Sequence, residues 1–375
     1  MEPPDRTARG LFVSSRGHLG DGKGGVQLCT NEFIEVIEAA GVSLTTLPFD
    51  GDRSWSARLL RLIDSSPFVR PHGRSLAGDI VRAVQQQPVD YIFLNQEFLA
   101  PVAPVIRPKL PAGCRIVILS HGAEITDLLH SVRLSHRLPL SRRLLPTPAL
   151  LLGRVLASEQ KLREDVDAVC TIALFDADLE RWFGARRVAW IPRLIKPAPL
   201  DWRPAGDRWG FVGTLDHGPN LEGLVAILDG LARTPGPPTR VRVVGSPTSL
   251  GQWLAGKYGS VDYLGTLDDA ALAAEAATWS VFLHPIFCRP RGCSTKLAIG
   301  IAWQIPIVTT AEGRRGYLWD DGTMPEARDA DDFVRLCRAL LEPAVARKAQ
   351  RDIARVAASS PSLTRVAAIM RELLV

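Results

Sequence analysis

Short apolar, β-branched runs alternate along this chain with longer stretches in which apolar residues return every three or four positions. GLFVSS (10–15) reads as a strand, GVQLCTNEFIEVIEAAG (25–41) as a helix closed by Gly41, and VSLTTLPF (42–49) as the next strand. YIFLN (91–95), RIVILSHG (115–122), AVCTIA (168–173) and VAWIP (188–192) continue the series with helical segments between them, the rhythm of parallel strands joined by crossover helices. RLIKPAPLDWRPAGDRW (193–209), with Pro197, Pro199 and Pro204, breaks the rhythm and reads as a linker. The alternation then restarts with GFVGT (210–214), a helix from about Asn220, RVRVVGS (240–246), VDYLG (261–265), VFLHPIF (281–287), a helix near 295–304 and IPIVTT (305–310); three closing helices follow at about 329–341, 343–358 and 361–374.

The pattern predicts an α/β fold of two doubly wound, Rossmann-like domains facing across a cleft. The expected divisions are 1–193, 194–358 and a terminal helix, 359–375, that would pack back on the first domain. A chain of 375 residues is longer than one core usually serves, and 46% apolar residues suffice for two. The net charge of +5 permits anionic ligands or a membrane surface and gives no reason to invoke nucleic acid. The opening MEPPDRTARG has no apolar stretch behind a basic head, and no later run spans a bilayer without Arg, Pro or Asp; a cytoplasmic protein is expected. The six cysteines follow no zinc spacing, so no metal site is expected.

RGHLGDGKGGVQ (16–27) looks at first like a phosphate-holding Walker loop: Gly17, four residues, then Gly22-Lys23. The next residue would have to be Ser or Thr to hold magnesium, and it is Gly24; the strands end in Asn95, His121 and Pro192, not in an acid. What remains is a strand, a glycine loop and a helix start, whose unpaired amides and dipole suit an anion. The plainer use of Gly24 and Gly25 is close helix-to-sheet packing.

Several segments, in order over roughly 10–316, resemble family 4-like glycosyltransferases of the GT-B class. GKGGVQLCTNEFIEVIEAAG is similar to their first glycine loop and helix, and VAWIPRLIKP to the end of their first domain. WGFVGTLDHGPNLEGLVAIL, VDYLGTLDDAALAAEAATWSVFLHPI and STKLAIGIAWQIPIVTTAEGRRGY are similar to their second domain. The resemblance implies a nucleotide-activated sugar on the second domain and an acceptor on the first. It also implies retention of anomeric configuration by return attack on the donor face without a protein nucleophile, and leaving-group charge met by basic side chains and amides rather than an obligatory metal or other cofactor. The chain departs from the family at the paired acids, eight apart, which fall on Arg291 and Ile299. An expected Arg is Thr214, and an expected Lys falls at Pro219 or Asn220.

Candidate residues follow from these segments. CRPRGCSTK sets Arg289, Arg291 and Lys296 around a small-residue turn opening a helix, which could hold a diphosphate through amides and cations. With Gly24, Gly25 and Thr214, the donor-side candidates are Arg291, Gly292, Cys293, Ser294, Thr295 and Lys296. ILSHGAEITD presents His121 at a strand end, with Glu124 and Asp127 opening a helix. His121 and Glu124 are the catalytic candidates; a dipole role alone is the alternative for Glu124 and Asp127. His18 and Lys23 are acceptor-side candidates. Arg133, Arg137, Arg142, Arg143 and Arg154 stud a leucine-rich stretch that could rest at a bilayer interface or form core-facing helices with solvated arginines.

The expected activity is therefore sugar transfer from a nucleotide-activated donor to an acceptor, whether glycan, lipid carrier, small molecule or protein. Two alternatives stay open: a non-catalytic GT-B binding module, and a sugar-nucleotide epimerase or hydrolase of the same fold.

Overall fold

The computed structural model describes residues 7–20, 24–50, 73–134 and 148–375, with backbone alone at 73–75, 131–134, 148 and 149. The first domain holds β1 (Ala8–Ser15), α1 (Gly25–Ala39), β2 (Val42–Phe49), α2 (Gly73–Gln86), β3 (Tyr91–Asn95) and α3 (Ala103–Ile106). It continues with β4 (Arg115–Ser120), α4 (Glu124–Leu134), α5 (Pro148–Lys161), β5 (Ala168–Thr171), α6 (Leu174–Trp182) and β6 (Val188–Trp190). The second holds β7 (Ala205–Val212), α7 (Gly218–Arg233), β8 (Arg240–Val244), α8 (Thr248–Lys257), β9 (Val261–Gly265), α9 (Asp269–Ala276) and β10 (Trp279–Leu283). After them come α10 (Thr295–Trp303), β11 (Ile307–Thr310), β12 (Glu326–Ala327), α11 (Ala330–Ala339), α12 (Pro343–Ser359) and α13 (Leu363–Leu374).

Two parallel six-stranded sheets result, ordered β2-β1-β3-β4-β5-β6 and β12-β11-β10-β7-β8-β9. Their central strands are buried on both faces: IVIL of β4 and SVFL of β10 are buried throughout, which is why they read as unbroken apolar runs. In the first sheet the winding reverses between β1 and β3, and in the second between β7 and β10. Crevices at such reversals, beyond the carboxyl ends of the strands, are where doubly wound sheets take ligands.

Two strand boundaries differ from the sequence reading. β7 begins at Ala205, inside the expected linker: AGDR lacks apolar alternation, but Ala205 pairs with Trp279 and Arg208 with Arg240. The two-residue β12 is too short to leave a periodic signal. Helix α13 lies against the first sheet, where Val366, Met370 and Leu374 share a core with Phe12, Phe93 and Cys170, and Tyr91 donates to the Leu374 carbonyl at 3.0 Å. Among the described residues no helix is long and apolar enough to cross a membrane. Lys23 and most of the arginine-rich stretch lie outside the described residues; Arg154, which is described, is exposed.

Candidate active site

A cavity of about 290 Å³ lies between the domains at both crevices, lined by residues that include Gly25, His121, Thr214, Arg291, Cys293 and Lys296. Its two phosphate-suited helix starts face each other. A Cβ built on Gly25, the first residue of α1, would lie 3.2 Å from Thr295 Oγ1, the first residue of α10. Gly24 is the N-cap of α1, and Gln27 folds back over it to donate to the Gly17 carbonyl at 2.9 Å, while Asn31 donates to Gly20 at 3.1 Å. These two side chains fix the glycine loop on the helix. At α10 the N-cap Ser294 makes no capping bond, and its buried Oγ has no hydrogen-bond partner.

Lys296 extends past Gly213, where any Cβ would come 2.8 Å from the lysine Cδ; that glycine makes room for the stem. Lys296 makes no ion pair among the described residues, and burial, helped by Arg315, brings its pKa down to about 8. Arg315 is held by the carbonyls of Glu312 (2.7 Å) and Arg291 (3.2 Å), with its buried Nε unpartnered. Two cations, Lys296 and Arg315, thus line the cavity near the start of α10.

Arg291 behaves otherwise, and this differs from the sequence expectation of a diphosphate-facing cation. Its guanidinium reaches back to the first domain, pairing with Glu124, with Glu97 at 3.4 Å and with Asp127 at 3.3 Å, while its amide donates to Asp127 at 3.0 Å. Glu124, the second catalytic candidate, is therefore engaged as a partner of Arg291, and its amide donates to Glu159 at 2.6 Å. Glu97 is fully buried; burial raises its pKa to about 7 despite Arg291. Burial also raises Asp127, but the hydrogen bond from His217 and the charges of His217 and Arg291 outweigh it and leave its pKa lowered. The nearest match to the family's first acid is thus a cation, and carboxylates from the opposite domain surround it.

His121 is 6% exposed at the cavity wall. Asn95 donates to Ser14 Oγ (2.8 Å) and Thr30 Oγ1 (2.9 Å), which turns its carbonyl oxygen to His121 Nε2 at 3.0 Å. Nε2 therefore carries the proton, and Nδ1 is left as an acceptor. Burial, with Arg291, His18 and Arg193 adding repulsion, lowers the pKa to about 3, so the ring stays neutral and serves as a hydrogen-bonding group rather than a general acid. His18 lies edge-on to Phe98, ring centroids 6.3 Å apart, on the same side of the cleft.

The seam beside the cavity is built on backbone. Gly292, at φ +59°, donates to Asp176 at 2.7 Å and abuts the His121 carbonyl. Cys293 and Cys29 share Arg193, whose Nη1 is 2.5 Å from the Cys29 sulfur and 3.8 Å from that of Cys293; Glu32 balances the guanidinium at 2.6 Å. Burial raises the Cys293 thiol, but the hydrogen bond with Cys29 and the Arg193 charge hold it below its ordinary pKa.

The donor-side candidates gather from both domains, whereas Glu97, Arg193, His217 and Arg315 were not singled out in the sequence. Arg315 carried a signal, since EGRRG follows a strand with a glycine on either side of the arginines. Glu97 carried none, because one Glu after a strand is ordinary.

Two facing parallel domains with a ligand-sized cleft at both winding reversals define the GT-B class. Residues 206–343, most of the second domain, match the family model described as Glycosyl transferases group 1. No curated protein matches the chain in sequence. Among solved structures the chain is similar to sucrose-phosphate synthase from Thermosynechococcus elongatus, at 16% identity over 98% of each chain with a TM-score of 0.66. It is also similar to HepE of Anabaena in complex with UDP and glucose, at 13% identity over 97% of this chain and 98% of that one, TM-score 0.63. A Rickettsia africae glycosyltransferase aligns at 11% identity over 99% and 98%, TM-score 0.61. At these identities the likeness is one of fold.

Proposed function

We propose that the chain transfers a sugar from a nucleoside diphosphate donor seated on the second domain to an acceptor held against the first, with retention of configuration. The observation that carries this reading is Lys296, which makes no ion pair among the described residues, at the uncapped start of α10, directly opposite the start of α1. In the reaction the bond from the anomeric carbon to the diphosphate oxygen breaks and one to an acceptor oxygen forms on the same face. The acceptor proton passes to the departing phosphate oxygen. Lys296, Arg315 and the α10 amides meet the charge that develops there, so no metal is required at the diphosphate. His121, neutral, accepts a hydrogen bond from a sugar or acceptor hydroxyl.

HepE, crystallised with UDP and glucose, makes a uridine diphosphate sugar the first donor to test. Saturating UDP or another nucleoside diphosphate should stabilise the chain by about 2.7 kcal/mol at a hundredfold excess over Kd. Added Mg²⁺ or Mn²⁺ should leave the transfer rate unchanged. A melting temperature indifferent to every nucleoside diphosphate and nucleotide sugar would overturn the reading.

A second reading is favoured by Arg291 and Ile299 in place of the family's acids: a GT-B module that binds its ligand without turnover. Nucleotide binding with no sugar released or transferred, in the presence of varied acceptors, would select it. Sugar released without any acceptor would select hydrolysis instead.

A further inference from the structure

We propose that the seam between the domains holds a zinc ion, bound by His130, Glu222 and Cys288, apart from the cavity described above. Helix α4 of the first domain packs against α7 of the second. At one level of this contact Asp127 of α4 meets His217 at the start of α7, 3.4 Å away. His130 comes three residues further along α4 and Glu222 five residues further along α7, and the two meet across the same seam. Cys288, in the loop after β10, reaches that level from the side. One ligand atom from each residue, an imidazole nitrogen, a carboxylate oxygen and a thiol sulfur, lies within 4.8 Å of the other two.

Three features point to a cation rather than to incidental packing. His130 and Cys288 are buried, and Glu222 is half-buried, so the three do not merely share a solvated surface. The Glu222 Oε2 atom is buried and has no hydrogen-bond partner among the described residues. A buried carboxylate oxygen left in this way is costly unless a positive charge completes it. The donor set is also selective: sulfur, nitrogen and oxygen together suit Zn²⁺, bound at about 2.0–2.3 Å, whereas Mg²⁺ and Ca²⁺ prefer oxygen alone. Such bond lengths put tetrahedral ligand atoms about 3.3–3.7 Å apart, so the three, within 4.8 Å of one another, need to draw in by at most about 1.5 Å. Binding replaces the thiol proton of Cys288 with the metal and releases that proton to solvent. The ligands come from both domains, so the ion staples α4 to α7 and the loop after β10. None of the three lines the donor cavity.

The test uses the full chain without an affinity tag, stripped with a chelator and then dialysed against Zn²⁺ or Co²⁺. One equivalent of zinc should be retained, and the cobalt form should show a thiolate-to-cobalt absorption band that Cys288→Ser abolishes. Glu222→Gln, which keeps the side-chain volume and is the variant least able to disturb folding, should weaken zinc by more than the about 10–100-fold typical of losing an outer-shell partner. Cys29→Ser and Cys293→Ser should keep the band, separating this site from the thiols beside Arg193. No metal retained above the dialysis buffer, or zinc affinity unchanged in Glu222→Gln, would overturn the proposal.

Discussion

Gly122 of the first domain and Gly292 of the second meet backbone to backbone: a Cβ built on Gly122 would lie 2.0 Å from the Gly292 amide nitrogen. Both have positive φ, +108° and +59°, so neither position suits a side chain on conformational grounds either. The contact sits between His121 and Arg291, and it sets the distance between the strand end that presents the histidine and the turn that opens α10.

Gly122→Ala should therefore part the domains without unfolding either one. Its left-handed backbone alone costs about 1–2 kcal/mol, and the overlap with Gly292 can be relieved only by separation. Small-angle scattering should show a larger radius of gyration, and donor affinity should fall at least tenfold while circular dichroism stays unchanged. An unchanged radius with full donor affinity would mean that the seam can yield locally.

Arg291→Met should destabilise the chain by about 2–4 kcal/mol, somewhat below the usual cost of breaking a buried pair because the arginine is 30% exposed. The loss should grow with pH. Arg291 lowers the Glu97 pKa, which burial still holds at about 7, so removing the cation raises it further. A carboxyl whose folded pKa exceeds its unfolded value gives stability that is full below the unfolded pKa and disappears as pH rises through the folded one. Melts at pH 5 and pH 8 should thus show the larger deficit at pH 8, and equal deficits would separate Glu97 from the effect.

The doubly wound order was legible because each central strand is buried on both faces, leaving unbroken runs such as RIVILS and VFL that polar helix faces separate. The glycine turns at 24–25 and 292–296 were legible because close backbone approach leaves its mark in composition. The partners of Arg291 were not. Glu97, Glu124 and Asp127 come from two elements of the other domain, and sequence carries no trace of a contact made 164 to 194 residues away. Nor does it show that a carboxylate neighbour removes a cation from the donor site, which separates Arg291 from Lys296 although both belong to one short turn.

Glu159→Gln should flatten part of the dependence of stability on pH. Glu159 is buried, accepts the Glu124 amide at 2.6 Å, and has its Oε2 buried without a hydrogen-bond partner; burial raises its pKa to about 8. The wild-type chain should lose stability between about pH 4.5 and 8 as the unfolded state gives up this proton first, by an amount on the order of a few kcal/mol. Glutamine mimics the protonated acid at every pH, so denaturant midpoints of the variant should fall less across that window. Parallel midpoint curves for the two proteins would show that Glu159 does not titrate there.

Lys296 should dominate donor affinity, and the first glycine loop should act through its backbone. Lys296→Ala should weaken nucleoside diphosphate binding by about 1.5–3 kcal/mol, the scale of a hydrogen bond to a charged group. Lys23→Ala should be mild, as expected of a loop that binds the anion through the amides at the start of α1. Gly25→Val should be severe without unfolding the chain: the first added carbon already stands 3.2 Å from Thr295 Oγ1, and the methyls beyond it would fill the gap between the helix starts. Because the lysine pKa lies near 8, wild-type affinity should also fall as pH rises through that value and the cation is lost, and the Lys296→Ala variant should lack this fall. Isothermal titration with one diphosphate at pH 7 and pH 9 reads all three variants together. A Lys23→Ala protein that no longer binds, beside a Lys296→Ala protein that binds normally, would return the opening loop to the triphosphatase role that Gly24 speaks against.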